Sequence, residues 1–212
     1  MTMFYSRKEA KLNKFTIQKG LIFIKPPRVA GGSTVRYLYD LSSKNGIQKR
    51  QNKKYSRGVF YENEKIDSDR NYIFTICRNP WDRFISSLKY YCKDKRKNLQ
   101  KDFLVNGKLE IQKLQSLRQE SQGKNLDYHL FSTVWDHIEG LPNVTVLRYE
   151  NIENEIASLA NLLGLNCGEI KFPHLNKFGT SDQDYRVHYD EKTKEFVAKI
   201  FEKDIENFGY SF

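Results

Sequence analysis

Cysteine is scarce in this chain, with three residues among 212. Cys77, Cys92 and Cys167 are odd in number and widely spaced, which excludes a disulfide framework and a cysteine-based metal site. We therefore expect free thiols in a reducing compartment, and no bound metal.

Long apolar runs are also missing. The first 19 residues are polar and charged, and no stretch approaches the ~20 apolar residues of a membrane span. We therefore expect a cytoplasmic protein without a signal peptide or a membrane span. The length and the 39% hydrophobic content suit a single domain over residues 1–212, with 1–19 as a polar lead-in.

Acidic residues are fewer than basic ones: 26 aspartates and glutamates against 36 lysines and arginines give a net charge of +10. Such an excess attracts anions, nucleic acids among them. The sequence nevertheless has no zinc-ligand spacing, no RNA-binding aromatic motif and no arginine-rich arm. We therefore expect no nucleic-acid partner, and instead an acidic cofactor together with an acceptor such as an anionic glycan.

Residues 21–35 read LIFIKPPRVAGGSTV, an apolar strand that runs into a glycine-containing turn. The glycines at 31–32 permit a tight turn, and the Ser-Thr pair at 33–34 can cap the helix that follows. A helix N-terminus stabilises an anion, and Arg28 adds a fixed charge suited to phosphate or sulfate oxygens. By itself the segment fits a phosphate cradle and an ordinary strand-to-helix turn equally well.

Residues 72–91, YIFTICRNPWDRFISSLKYY, contain a second strand followed by a helix. Arg78 stands at the carboxyl end of the strand, where open α/β sheets place their ligand contacts. Ser86 follows about two helical turns later, at ~3.6 residues per turn. The spacing predicts that the arginine and the serine face one phosphate.

These two segments together resemble the carbohydrate-type sulfotransferases that use 3′-phosphoadenosine 5′-phosphosulfate (PAPS). Residues 27–34, PRVAGGST, are similar to the loop that binds the 5′-phosphosulfate in that family, and residues 78–86, RNPWDRFIS, to the segment that binds the 3′-phosphate. The stretches 146–151, VLRYEN, and 173–210 also resemble family elements. The resemblance spans about residues 20–212.

The resemblance implies a P-loop-like, three-layer α/β fold whose mostly parallel central sheet is flanked by helices, and strands alternating with helices favour it as well. It implies PAPS as cofactor without a metal, and it assigns cofactor binding to Arg28, Ala30, Gly31, Gly32, Ser33, Thr34, Arg78, Ser86, Asn176, Lys177, Tyr185 and Arg186. Lys25, three residues before Arg28, is a further cofactor-binding candidate, but its place on the strand leaves open whether it reaches the loop. The family usually has a lysine at position 28 that contacts the bridging oxygen. Arg28 is therefore also a catalytic candidate, with Lys25 as a second cation near it.

The remaining catalytic role is that of a base that takes the proton of the acceptor. Residues 59–64, VFYENE, correspond to a histidine-containing stretch in the heparan 2-O-sulfotransferase branch. Glu62 is the favoured candidate and Glu64 the next, because other branches use a glutamate. His129 is the alternative, followed by His137, since histidine suits base chemistry near neutral pH.

The expected function is transfer of a sulfuryl group from PAPS to a hydroxyl or amine, with a glycan or a small-molecule alcohol as acceptor. One alternative is a P-loop nucleotide or small-molecule kinase, which would need a loop lysine and an acidic Mg²⁺ ligand at a strand end. Another is a catalytically weak relative that only binds an anionic ligand, which the arginine at position 28 supports.

The patterns also predict secondary structure along most of the chain. Strands are expected at 21–25, 58–61, 72–77 and 144–148, and helices at 33–43, 80–94, 126–138, 151–163 and 190–208. Residues 105–125 give no assignment.

Overall fold

The computed structural model describes residues 20–45, 58–60, 71–175 and 184–212. Its strands are β1 (Gly20–Ile24), β2 (Gly58–Phe60), β3 (Asn71–Cys77), β4 (Leu104–Val105), β5 (Lys108–Leu109) and β6 (Val144–Arg148). Its α-helices are α1 (Gly31–Lys44), α2 (Pro80–Asp94), α3 (Leu99–Asp102), α4 (Ile111–Ser121), α5 (Asn125–Phe131), α6 (Ile152–Leu162), α7 (Glu191–Ile200) and α8 (Glu202–Phe208). Short 3₁₀ turns lie at Trp135–His137, Tyr149–Asn151 and Tyr185–His188.

The described residues form two units. One contains residues 20–25, 30–45, 58–60, 71–76 and 140–175, and the second contains residues 26–29, 77–139 and 184–212. The expectation of a single domain over residues 1–212 stays a prediction.

The first unit is built on a sheet with the strand order β2-β1-β3-β6. Strands β1, β3 and β6 form the parallel part, and β2 pairs antiparallel with β1 at the edge. The register places Phe23 opposite Phe74, and their rings stack with centroids 4.8 Å apart. Tyr72 and Thr145 join β3 to β6 through a 2.7 Å hydrogen bond between their hydroxyls. The predicted α/β fold, with a mostly parallel sheet flanked by helices, is confirmed.

The second unit has its core around α2. The buried face of this helix, which includes Phe84 and Leu88, packs with buried residues of α4, α5 and α7. Asn79 caps α2, because its side-chain oxygen accepts the backbone N–H groups of Trp81 at 3.1 Å and Asp82 at 3.5 Å. Pro80 occupies the first helical position, where its missing N–H costs nothing. The predicted helix at 80–94 is confirmed.

Two predicted helices are interrupted. The helix expected at 126–138 ends at Phe131, because Thr133 and Asp136 form reciprocal backbone and side-chain hydrogen bonds that start a separate 3₁₀ turn. The helix expected at 190–208 breaks at Phe201, whose ψ of 24° lies outside the helical range. Gly209 ends α8 in the left-handed conformation, as its position predicts.

Residues 104–121 contain a hairpin and a helix that no pattern in the sequence predicts as a whole. Strands β4 and β5 pair antiparallel around Asn106 and Gly107, which both have positive φ angles. An Asn-Gly pair is the preferred sequence for a two-residue hairpin turn of this kind, so the signal was present in the sequence. Helix α4 follows at Ile111–Ser121.

Replacing Asp190 with alanine should destabilise the protein by about 1 kcal/mol, the usual cost of losing a helix cap. The Asp190 carboxylate accepts the backbone N–H and the hydroxyl of Thr193, and these hydrogen bonds hold the pKa of Asp190 below its ordinary value. A depressed pKa means that the contribution of the carboxylate is present near neutrality and is lost as the pH falls below about 4. Urea unfolding at pH 7 and at pH 3 measures both effects.

Asn is as good a cap as Asp, so Asp190→Asn serves as the control variant. It should keep most of the stability that Asp190→Ala loses, and it should remove the part of the pH dependence that Asp190 contributes. Equal losses in both variants would contradict the capping role of Asp190.

Candidate active site

The start of α1 presents backbone amides. Ala30 is the N-cap residue and has a left-handed backbone with φ of 60°, and its carbonyl accepts both the backbone N–H of Thr34 at 2.9 Å and the Thr34 hydroxyl at 3.1 Å. Ser33 is buried, and its hydroxyl oxygen accepts the N–H of Leu175 at 3.0 Å. The expectation that Ser33 and Thr34 cap this helix is wrong, because α1 begins at Gly31 and both residues lie inside its first turn. The first N–H groups of a helix have no partner within it, and they make its N-terminus favourable for an anion.

Lys25 lies against this helix start. A Cβ atom built on Gly31 would be 2.6 Å from both Cγ and Cε of Lys25, so the lysine side chain occupies the space that a larger residue at position 31 would need. The ammonium nitrogen is one bond beyond Cε, so the geometry brings the charge of Lys25 close to the first turn of α1. The sequence left open whether Lys25 reaches this loop, and the structure places it there.

Arg78 stands at the end of β3 in the second unit, directly before the cap of α2. Its Nε donates to the Asp82 carboxylate at 2.7 Å, and its Nη1 donates to the backbone carbonyl of Arg28 at 3.2 Å. The side chain of Arg78 is mostly buried, with 13% of its surface exposed. These two contacts fix the orientation of the guanidinium at the helix start.

Arg28 contacts the predicted serine of the second motif directly. Its Nε and Nη2 donate to the hydroxyl oxygen of Ser86 at 3.3 Å and 3.2 Å, and its guanidinium carbon lies 4.9 Å from the centre of the Tyr90 ring. Ser86 and Tyr90 are four residues apart on α2 and therefore lie on the same face. The structure thus groups Arg28, Arg78 and Ser86, as the sequence predicts for the last two alone. Tyr90 was missed, although its spacing from Ser86 was a usable signal.

A buried ion pair anchors α2 at Arg83, one turn before Ser86. Arg83 donates to the Asp204 carboxylate at 3.1 Å and to the Ser132 carbonyl at 2.8 Å, and its guanidinium lies over the Phe201 ring. Burial lowers the pKa of Arg83 and raises that of Asp204, while the charge of each partner acts against these shifts. Asp204 also accepts two backbone N–H groups, those of residues 134 and 135. The pair therefore ties α2 to α8 and to the turn after α5.

A family model described as "Sulfotransferase family" matches residues 15–211 of this chain. The chain belongs to the sulfotransferase family. Among solved structures it is similar to a sulfotransferase from Alicyclobacillus acidocaldarius, with 17% sequence identity and a TM-score of 0.37. The match covers 65% of this chain and 53% of that one, so it spans about half the length of the solved relative. A search of curated proteins gives no match.

The candidates for the catalytic base lie partly inside and partly outside the described residues. Glu62 and Glu64 lie outside the described residues. His129 is half-buried on α5 with its ring 5.1 Å from that of Tyr128, and the His137 ring lies 5.3 Å from the same tyrosine. The identity of the base stays a prediction.

The remaining predicted cofactor-binding residues are divided in the same way. Asn176 and Lys177 lie outside the described residues. Tyr185 packs edge-on against Tyr189 and Phe212, and the guanidinium of Arg186 lies 4.7 Å from the Tyr185 ring centre. The role of Tyr185 and Arg186 at the nucleotide stays a prediction as well.

The described residues also bear on the expectations for thiols, metal ligands and membrane-spanning helices. None of the three cysteines, all of which lie within the described residues, is in a disulfide bond, and burial raises the pKa of Cys92 to about 11. Within the described ranges, no group of three or more His, Cys, Asp or Glu side chains is arranged to hold a metal ion. None of the described helices has the length and hydropathy needed to cross a bilayer.

Proposed function

We propose that this family member transfers a sulfuryl group from PAPS to a hydroxyl or amine acceptor, with a sugar hydroxyl as the preferred class. PAPS carries a 3′-phosphate and a 5′-phosphosulfate, and each needs cationic and hydrogen-bonding partners. The family supports sulfuryl transfer, and the net charge of +10 suits an anionic donor.

The observation that carries the proposal is the group formed by Arg28, Arg78 and Ser86. Two guanidinium groups supply fixed charge and forked N–H donors, which match the oxygens of a phosphate monoester. The Ser86 hydroxyl accepts from Arg28 and still has its own hydrogen to donate. The donor set therefore fits a phosphate, and we assign Arg78 and Ser86 to the 3′-phosphate.

The start of α1 has the properties required at the other end of the donor. The backbone N–H groups of its first turn, the left-handed Ala30 and the nearby charge of Lys25 favour an anion there. We assign this set to the 5′-phosphosulfate. When bound, PAPS supplies an electrophilic sulfur and a bisphosphate leaving group.

In the transfer, the bond from sulfur to the acceptor oxygen or nitrogen forms as the bond from sulfur to the phosphate oxygen breaks. Charge grows on that phosphate oxygen, so a cation and backbone N–H groups near it lower the barrier. The acceptor proton passes to the base, for which we propose Glu62. Most of the catalysis then comes from positioning and charge stabilisation, by analogy with phosphoryl transfer.

Arg78→Ala should weaken the binding of adenosine 3′,5′-bisphosphate by about 10- to 100-fold, because a hydrogen bond to a charged group contributes about 1.5–3 kcal/mol. Calorimetric titration measures the affinity directly. Arg36→Ala is a matched control, since Arg36 pairs through Nε with Asp40 four residues later, as Arg78 does with Asp82. The control variant should bind like the wild type.

The same titration tests the function. Tight, metal-independent binding of the bisphosphate by the wild type supports a PAPS site, and unchanged affinity in Arg78→Ala contradicts the assignment of this arginine. Preference for ATP with Mg²⁺ would instead favour the kinase alternative. Binding of PAPS without transfer to any acceptor would favour a relative that only binds the ligand.

A further inference from the structure

The side chain of Arg28 is built into the second motif. Two of its nitrogen atoms donate to the single oxygen of Ser86, and the Tyr90 ring supports the guanidinium from below. A planar guanidinium stacks well on an aromatic face, which restricts its rotation. The charge of Arg28 is therefore held beside Ser86.

The backbone of Arg28 is fixed to the same motif. Its φ angle of 61° is left-handed, a conformation that residues with a Cβ atom disfavour, and its carbonyl accepts Nη1 of Arg78. Both ends of the residue thus contact residues of the second motif, Ser86 through the side chain and Arg78 through the carbonyl. A residue held in this way has a defined position before any ligand arrives.

We propose that Arg28 is a specificity-determining residue that binds the 3′-phosphate together with Arg78 and Ser86, and that Tyr90 is the positioning residue that orients it. This inference rests on the proposed function, because it concerns the same donor. It changes the role that the sequence predicts for Arg28, which was contact with the bridging oxygen at the 5′ end. The cation at the start of α1 is then Lys25, whose side chain crosses Gly31.

A pair of ligands separates the two ends of the donor. Adenosine 3′,5′-bisphosphate carries both phosphates, and adenosine 5′-monophosphate lacks the 3′-phosphate. The ratio of their affinities measures what the 3′-phosphate contributes. Arg28→Met should reduce this ratio about 10- to 100-fold while leaving the affinity for the monophosphate close to that of the wild type.

Tyr90 offers a second variant pair with a readout of its own. Tyr90→Phe keeps the ring under the guanidinium and should preserve the ratio. Tyr90→Leu removes the ring and should lower the ratio by a factor of about 2 to 5, as an exposed cation–π contact implies. Tyr90 is 40% exposed, so both variants should fold, and thermal unfolding checks this.

The outcomes distinguish this inference from the function on which it rests. A wild type that binds neither nucleotide overturns both. A wild type that prefers the bisphosphate, combined with an Arg28→Met variant that loses affinity for both ligands by the same factor, overturns only the role of Arg28. An Arg28→Met variant that binds both ligands as tightly as the wild type also overturns only that role. A lower ratio of the two affinities in Arg28→Met supports the inference.

Discussion

Asp204→Ala should destabilise the protein by about 3–5 kcal/mol, because it leaves the buried guanidinium of Arg83 without its counter-charge. Side-chain exposure is 3% for Arg83 and 1% for Asp204, so water does not replace the lost carboxylate. The variant also strips two backbone N–H groups, those of residues 134 and 135, of their acceptor. Urea unfolding at neutral pH measures the loss as a lower midpoint.

Two further variants identify the source of this loss. Glu202→Ala removes an exposed carboxylate from the same helix and should stay within about 0.5 kcal/mol of the wild type. The double variant Arg83→Met with Asp204→Leu removes both charges and should be more stable than Asp204→Ala alone. The free energy of unfolding is also measured for Arg83→Met and Asp204→Leu separately. A double variant whose loss of stability equals the sum of these two losses would show that the uncompensated charge is not the cause.

Glu62→Gln should lower the turnover of PAPS by about 10²- to 10⁴-fold, the usual contribution of a general base, and should leave the affinity for adenosine 3′,5′-bisphosphate unchanged. Glutamine keeps the shape of the side chain and cannot accept the acceptor proton. The measurement is the release of the bisphosphate from PAPS in the presence of a hydroxyl acceptor, beside a calorimetric titration of each variant.

His129→Ala is the comparison, because His129 is the other base candidate. The histidine lies against the Tyr128 ring on a short helix, so its loss can also disturb local packing. His129→Gln then serves as a milder replacement. An active Glu62→Gln variant combined with two inactive His129 variants would move the base to His129.

The strands and helices that carry the two motifs were predictable because their signals are local. Strand β3 is an apolar run, and α2 starts where the Asn79-Pro80 pair requires it. The end of the helix at Phe131 involves local hydrogen bonds between Thr133 and Asp136, but the turn that follows is also held by a residue distant in sequence. The Asp204 carboxylate accepts hydrogen bonds from Arg83 and from two backbone amides of the turn after α5. No periodicity in the sequence predicts that arrangement.

The candidate site likewise combines contacts that local sequence signals predict with contacts that they do not. The sequence indicates that Arg78 and Ser86 face one phosphate, since strand end and helical spacing are enough for that. It assigned Arg28 to the 5′-phosphosulfate, and it did not predict the contacts of Arg28 with Ser86 and Tyr90, because position in a loop does not determine the direction of a long side chain. The contacts of Arg28 with Ser86 and Tyr90 join segments 58 and 62 residues apart, as counted from 28 to 86 and from 28 to 90.

Helix α2 has two faces with different tasks, and this limits how the protein can change in length. Asp82, Ser86 and Tyr90 lie on one face at four-residue spacing, while Phe84 and Leu88 are buried on the other. One inserted residue rotates everything after it by about 100° around the helix axis. An insertion before Ser86 would therefore turn the serine away from Arg28. We therefore expect the helix to accept an added or deleted residue only beyond its last turn, after Asp94, where neither face is shifted.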